Sequence, residues 1–152
     1  MTTLAGMRRA SAGDREPGLA IQRAAFGRNI AIMGVEPLPL RADYDKVFAT
    51  HEVWVMERDG ALEGMLILQP REDDLYIWSI ATSPALQGTG VGNRMLAAAE
   101  QRARQLPRAR MRLNTGEKLT KNVAWYQRHG FAIENIEQLE DRRVVNMVKE
   151  LK

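Results

Sequence analysis

The run Leu75-Tyr76-Ile77-Trp78-Ser79-Ile80-Ala81-Thr82-Ser83-Pro84-Ala85-Leu86-Gln87-Gly88-Thr89-Gly90-Val91-Gly92-Asn93-Arg94-Met95-Leu96 carries three structural instructions in sequence. Leu75 to Ala81 is dense in β-branched and aromatic residues and is closed by Ser83-Pro84, which reads as a strand ended by a turn. From Val91 onward apolar residues return every three to four positions, at Met95, Ala98 or Ala99, Ala103 and Leu106, the spacing of one buried helical stripe. Between strand and helix stand three alternate glycines, Gly88, Gly90 and Gly92. A glycine-rich link at a helix start leaves backbone N–H groups uncovered at one spot, where the positive end of the helix dipole also acts, and such a spot binds phosphate. The same glycines also permit close strand-to-helix packing, and their spacing alone leaves both readings open.

The flanking segments extend the pattern. Upstream, Val53 to Arg58 and Ala61 to Gln69 are strand-like runs joined by Asp59-Gly60, the pair that a two-residue type I′ hairpin turn requires. Before them, Asp14 to Gly27 predicts a helix with Asp14 as N-cap and Gly27 as terminator, and Ala42 to Ala49 predicts a second short one. Asn29 to Leu40, with Gly34, Pro37 and Pro39, reads as a flexible apolar loop with at most a helical turn. Downstream, Arg110 to Asn114 alternates as a half-buried strand does, and Thr120 is placed to N-cap a helix running to His129 and closed by Gly130. Two strand runs around Glu140-Asp141-Arg142 complete the chain. Strands grouped first and then alternating with helices predict an α+β fold. A single mixed, mostly antiparallel sheet of about six to seven strands carries about four helices on its faces.

Composition narrows the function classes. The 152 residues, 45% of them hydrophobic and 27% charged, fit one globular domain spanning 1–152. The absence of cysteine excludes disulfide frameworks, thiolate metal sites and a cysteine nucleophile. His51 and His129 are far apart and form no ligand cluster, so no metal is expected. No apolar run is long enough for a membrane span and the first residues have no hydrophobic leader pattern, so the expectation is a soluble cytoplasmic protein without membrane contact. With 22 basic and 19 acidic residues the net charge is only +3, too small and too dispersed to argue for nucleic acid. The densest basic run, Arg102 to Arg112, reads as a solvated face, with a site for an acidic ligand as the alternative.

Two nucleotide motifs fail at named positions. A phosphate-binding loop of the Walker type would end Gly-Lys-Ser/Thr, whereas Gly92-Asn93-Arg94 stands here, and a dinucleotide fingerprint would need glycine at Asn93. Ile80 to Leu96 instead resembles the acyl-CoA pyrophosphate motif of the GNAT superfamily of N-acyltransferases, Gln/Arg-x-x-Gly-x-Gly/Ala, with Gln87, Gly90 and Gly92 as its core. A second landmark, Asn122-Val123-Ala124-Trp125-Tyr126-Gln127-Arg128-His129-Gly130-Phe131, is similar to the superfamily's tyrosine-bearing helix followed by Gly-Phe. The two motifs lie in the expected order with one strand between them.

The resemblance implies acetyl-CoA as acyl donor and an N-acetyltransferase acting by direct attack of an amine on the thioester. It places the backbone of Gly88, Thr89, Gly90, Val91, Gly92 and Asn93 on the pyrophosphate, and Ile80, Ala81 and Thr82 beside the pantetheine arm. It also implies that the sheet splays between the Leu75 and Arg110 strands to admit the cofactor. Tyr126 matches the tyrosine that approaches the CoA sulfur as general acid, although by spacing alone it is equally a core aromatic. Asn122 is the residue available to bond the pantetheine, but many relatives place that Asn where Leu119 stands here, and helix-start capping competes.

No general base is legible. Relatives carry a Glu where this chain has Trp78 and Ser79, or on the next strand, where Asn114 aligns. Glu117, Glu36, Asp43, Tyr44, Asp45, His51 or a water chain remain as alternatives. His129, in the last turn of its helix, needs no role beyond the helix dipole. By resemblance the acceptor is set by Arg28 to Tyr44 and Ile136 to Asn146. The first expectation is a small-molecule primary amine; a protein amino terminus or lysine is second. A non-catalytic acyl-CoA sensor on the same fold is the alternative outside catalysis. Relatives are frequently dimers, so a homodimer is the implied assembly, which the sequence itself does not state.

Overall fold

The computed structural model describes residues 4 and 6–151. In chain order the elements are β1 (Arg8–Arg9), α1 (Arg15–Gly27), α2 (Asn29–Met33), α3 (Leu38–Arg41), α4 (Tyr44–Thr50), β2 (Glu52–Arg58), β3 (Ala61–Pro70), β4 (Leu75–Thr82), α5 (Val91–Gln105), β5 (Arg110–Gly116), α6 (Thr120–Arg128), β6 (Ala132–Gln138) and β7 (Arg143–Glu150). The seven strands form one sheet in the order β1-β2-β3-β4-β5-β7-β6, antiparallel throughout except for the parallel pair β4 and β5. The Asp59-Gly60 turn takes the two left-handed conformations its sequence demands, φ 53° and 80°.

Strand alternation sends apolar side chains to both faces. Trp54, Leu66, Leu68, Met111 and Met147 pack with Met95, Ala99 and Ala103 of α5 on one side, while Val53, Val55, Met65 and Ile67 pack with Val47 of α4 on the other. A register shift between Ile67 and Leu68 makes Trp78 the extra residue of a bulge, since Ile67 pairs with Ser79 and Leu68 with Ile77. One added residue inverts the face of everything after it. Leu75 and Ile77 therefore join the α5 side, whereas Ser79 bonds α1 and Ala81 packs on Ile21 and Ala25 of α1. Ile80 in turn packs toward the α5 cluster.

The parallel pair is short. Only Leu75 with Met111 and Tyr76 with Arg112 are in register, and beyond them β4 and β5 diverge, as the resemblance implies. The closed end is pinned by Asp74, nearly fully buried, which accepts hydrogen bonds from Arg71 Nε and Nη2 (both 2.7 Å) and Arg112 Nη1 (2.9 Å). Arg112 Nε also reaches Glu134 Oε1 at 2.9 Å.

Several local expectations are corrected. The stretch Asn29 to Leu40 is not one loop: it holds α2, closed by Gly34 at φ 76°, and the start of α3, which begins after Pro37 where a missing N–H costs nothing. Gly27 ends α1, but helix resumes two residues later. Asp14 does not cap α1 with its side chain; it accepts from Ser11 N and from Arg8 instead. Thr120 is the first helical residue of α6 and Leu119 precedes it as N-cap. Nor is the arginine run a solvated face. Arg102 grips Glu52 at 2.7 and 2.8 Å, Arg108 donates to the Arg71 and Leu106 carbonyls, Arg110 pairs with Glu150, and Arg112 holds Asp74 and Glu134. These are staples between α5, the β4 entry and the β5–β7 ladder.

Candidate functional site

The gap between β4 and β5 opens into two adjoining cavities. A cleft of about 710 Å³ runs from the start of α5 to the gap, and a cavity of about 200 Å³ lies on its far side. Phe26, Asn29, Ile80, Leu119, Asn122 and Tyr126 line both, so these residues form the passage between them.

The outer end of the cleft is built by the glycine loop. Gly88 and Gly90 adopt φ 83° and 94°, which side-chain-bearing residues rarely tolerate, and Gly90 is the N-cap of α5. Among the described residues no hydrogen bond takes the N–H groups of Gly88, Gly90, Val91, Gly92 or Asn93, the last three being the first amides of the helix. Gly92 lies close to Thr82 Oγ1 and the Trp125 ring, with room for one more carbon at 3.6 Å from each. Trp125 Nε1 in turn donates to Asn93 Oδ1 at 3.1 Å, tying α6 to α5.

The structure gathers most of the residues singled out in the sequence. Ile80, Ala81, Thr82, Gln87, Gly88, Gly90, Gly92, Asn93, Asn122 and Tyr126 all line the cleft. Two side chains do not: Val91 is in the core beneath the loop, and the Thr89 hydroxyl donates to the Leu86 carbonyl. Asn122 makes no capping bond; its backbone N–H donates to Leu119 O and its side chain faces the passage.

Three cations that sequence reasoning missed also line the cleft, Arg28, Lys118 and Lys121. Arg28 Nη1 donates to Gln87 Oε1 at 2.8 Å, which brings the α1–α2 junction over the glycine loop. A signal was present, since two of the chain's five lysines stand within four residues of Asn122.

Tyr126 is 7% exposed, with Phe131 and Trp125 edge-on to its ring at 5.7 and 4.9 Å. Its hydroxyl has no hydrogen-bond partner among the described residues, although no wholly buried side-chain polar atom is left unpaired. A buried phenol normally finds a partner, so this one is presented to the cavity. Burial, reinforced by the nearby Tyr76 phenol, raises its pKa well above the ordinary tyrosine value and keeps it protonated.

None of the base candidates reaches either cavity. Glu117 pairs with Arg143 (3.3 Å), Glu36 lies 3.8 Å from Arg41, Asp43 caps α4, and Asp45 pairs with Arg15. His51 stacks edge-on against Trp78, with burial lowering its pKa. Tyr44 is tied up in a buried chain: Ser79 Oγ donates to Gln22 Oε1 (2.6 Å), Gln22 Nε2 donates to the Tyr44 hydroxyl, and that hydroxyl donates to Pro39 O (2.6 Å). Burial pushes the Tyr44 phenol up to about 12. The two cavities have no carboxylate among the described residues that line them. Among the described residues no group of acidic and histidine side chains could hold a metal ion, and no helix is long and apolar enough to cross a membrane.

Residues 23–131 match the sequence profile of the acetyltransferase (GNAT) family. Among solved structures, a GNAT family acetyltransferase from Elizabethkingia anophelis with acetyl-CoA bound superposes with a TM-score of 0.72 at 18% identity, covering 95% of this chain and 97% of that one. A PaiA N-acetyltransferase from Thermoplasma acidophilum in complex with coenzyme A gives 0.77 at 15% identity over 95% and 98%. The ribosomal-protein-S18-alanine N-acetyltransferase from Escherichia coli gives 0.75 at 16% identity over 96% and 93%. No curated protein sequence matches the chain.

Proposed function

Since this chain belongs to the GNAT acetyltransferase family, we propose that it moves the acetyl group of acetyl-CoA to the primary amine of a small molecule. The observation that carries this reading is the meeting of the two cavities at Tyr126, whose hydroxyl has no partner among the described residues. The five free amides between Gly88 and Asn93, with Arg28, Lys118 and Lys121, suit a pyrophosphate and its neighbouring phosphate. Beyond Tyr76, β4 has no strand partner on its β5 side among the described residues, so backbone groups of Ile80 to Thr82 are available to hold an extended amide-bearing arm. The small inner cavity admits a compact acceptor.

The bound thioester supplies an activated acyl carbon and a sulfur leaving group. This chain's residues hold that carbon at the passage, exclude bulk water with Phe26, Ile80 and Leu119, and present a phenolic donor at the place where thiolate charge develops. Raised pKa keeps Tyr126 neutral across the working range, so its O–H is available to donate. With no carboxylate at the passage, the amine gives its proton to water. That also favours a second reading, a protein amino terminus, whose amine titrates at about 7.7–8.0 and needs little help.

The test is thiol release from acetyl-CoA across an amine panel, with Tyr126→Phe beside the wild type. Full activity in the wild type, a rate loss of about 100-fold in the variant and unchanged acetyl-CoA affinity are expected. An undiminished variant removes the acid role, and acetyl-CoA binding without turnover of any amine points to a sensor.

A further inference from the structure

The inner cavity is apolar on most of its wall, through Phe26, Met33, Leu38, Trp78, Leu113 and Val144. Its one charged lining side chain among the described residues is Arg142, from the turn between β6 and β7. That side chain is 3% exposed, an unusual place for a guanidinium. Buried charges are expected to be fully paired. Here the pairing is partial: Arg142 Nε and Nη2 donate to Asp141 at 2.9 and 3.2 Å, while Nη1 donates to no group among the described residues. Asp141 is itself shared, since Arg41 Nη1 also reaches it at 2.8 Å, and Arg41 lies 3.8 Å from Glu36. Two arginines thus divide one close carboxylate, and Arg142, which stands between the inner cavity and an adjoining pocket bearing Asp141 and Glu117, keeps a donor unmet among the described residues on a guanidinium whose geometry suits carboxylate.

Resting on the acetyltransferase reading above, we propose that the acceptor is an amino-carboxylic acid with an apolar body, its carboxylate held by Arg142 and its amine turned toward the passage at Tyr126. A neutral amine would leave the guanidinium donor unmet, and a cationic diamine would meet a like charge there. In the reaction the amine nitrogen bonds to the acyl carbon as the carbon–sulfur bond breaks. One ammonium proton goes to water before attack, the second lost from nitrogen balances the proton that the Tyr126 hydroxyl passes to sulfur, CoA leaves as the thiol, and the acceptor's carboxylate passes through unchanged.

The experiment compares L-leucine, L-methionine and 6-aminohexanoate with their carboxamides and decarboxylated amines, using thiol release by the full chain. At least one acid is expected to exceed its own neutral analogues by about 30-fold or more in kcat/KM. Arg142→Gln should bring the acid-to-neutral ratio of kcat/KM toward one, and that ratio, not the absolute rate of either acceptor, is the readout. Neutral analogues accepted as well as the acids would overturn the inference and leave the N-acetyltransferase reading intact. Should no amine turn over, calorimetry on the CoA complex with N-acetyl-L-leucine, N-acetyl-L-methionine and 6-acetamidohexanoate decides. Binding by one of them at least about 30-fold tighter than by its amide supports the carboxylate site, and no difference overturns it. Failure of acetyl-CoA itself to bind would sink both.

Discussion

Tyr76 on β4 stands in register with Arg112 on β5, and it is the last pairing the two parallel strands make. Everything proposed for this protein depends on what happens next along those strands. The Leu75–Met111 pair behind Tyr76 and the Asp74 cluster hold the sheet together, and the divergence ahead of it creates both cavities.

Asp74→Asn tests that pin. Burial opposes ionisation of Asp74, but hydrogen bonds from Arg71 and Arg112 outweigh it and hold its pKa below the usual carboxylate range. A depressed folded pKa gives stability that is full above the unfolded value of about 3.9 and lost as pH falls through the folded one. Because Arg71 and Arg112 are partly solvated, the loss at neutral pH is set at about 2 kcal/mol, or a melting midpoint lower by about 4–8 °C. The gap between the two proteins' melting midpoints should hold from pH 7 to about pH 4 and begin to narrow below it.

The glycine loop predicts opposite signs for two similar substitutions. Gly90→Ala meets no steric obstacle but forces a side chain into φ 94°, costing about 1–2 kcal/mol and weakening acetyl-CoA binding. Gly92→Ala lies inside α5 with its new carbon in ordinary contact distance of Thr82 and Trp125, and should be neutral or gain up to about 1 kcal/mol. Paired thermal melts and CoA titrations read both.

Arg28→Ala and Lys118→Ala should each weaken CoA by about 3- to 10-fold, with an effect that shrinks in high salt. S-acetylpantetheine, which has no phosphate, should bind these variants and the wild type alike. A calorimetric comparison of the two donors separates a phosphate contact from a general loss of structure.

Gln22→Leu breaks the chain from Ser79 to Tyr44 and Pro39. Leaving those buried groups unmet costs about 1–3 kcal/mol, so the midpoint should fall by several degrees. Turnover should fall as well, since Ser79 and Pro39 both line the inner cavity.

The long-range plan was readable because it is written in periodicity. Alternating strands, the Asp59-Gly60 turn and the α5 stripe each dictate local structure independently of the rest. The glycine loop and the Tyr126 helix were legible as a pair. What escaped was set by contacts between distant segments. The bulge at Trp78 leaves no mark in the alternation of Leu75 to Thr82, yet it decides which face Ser79 and Ile80 take. The arginine run looked solvated because its partners Glu52, Asp74, Glu134 and Glu150 lie 22 to 50 residues away. Arg28 and Lys118 reach the cleft only because α1 and the β5–α6 turn converge on it.

The most direct measurement is thermal unfolding with and without acetyl-CoA. At about 100 times its dissociation constant a ligand adds about 2.7 kcal/mol, so the account predicts a midpoint rise of about 5–10 °C, abolished or much reduced in Gly90→Ala. No rise at millimolar acetyl-CoA would contradict it, leaving the fold in place and the cleft without the donor assigned to it.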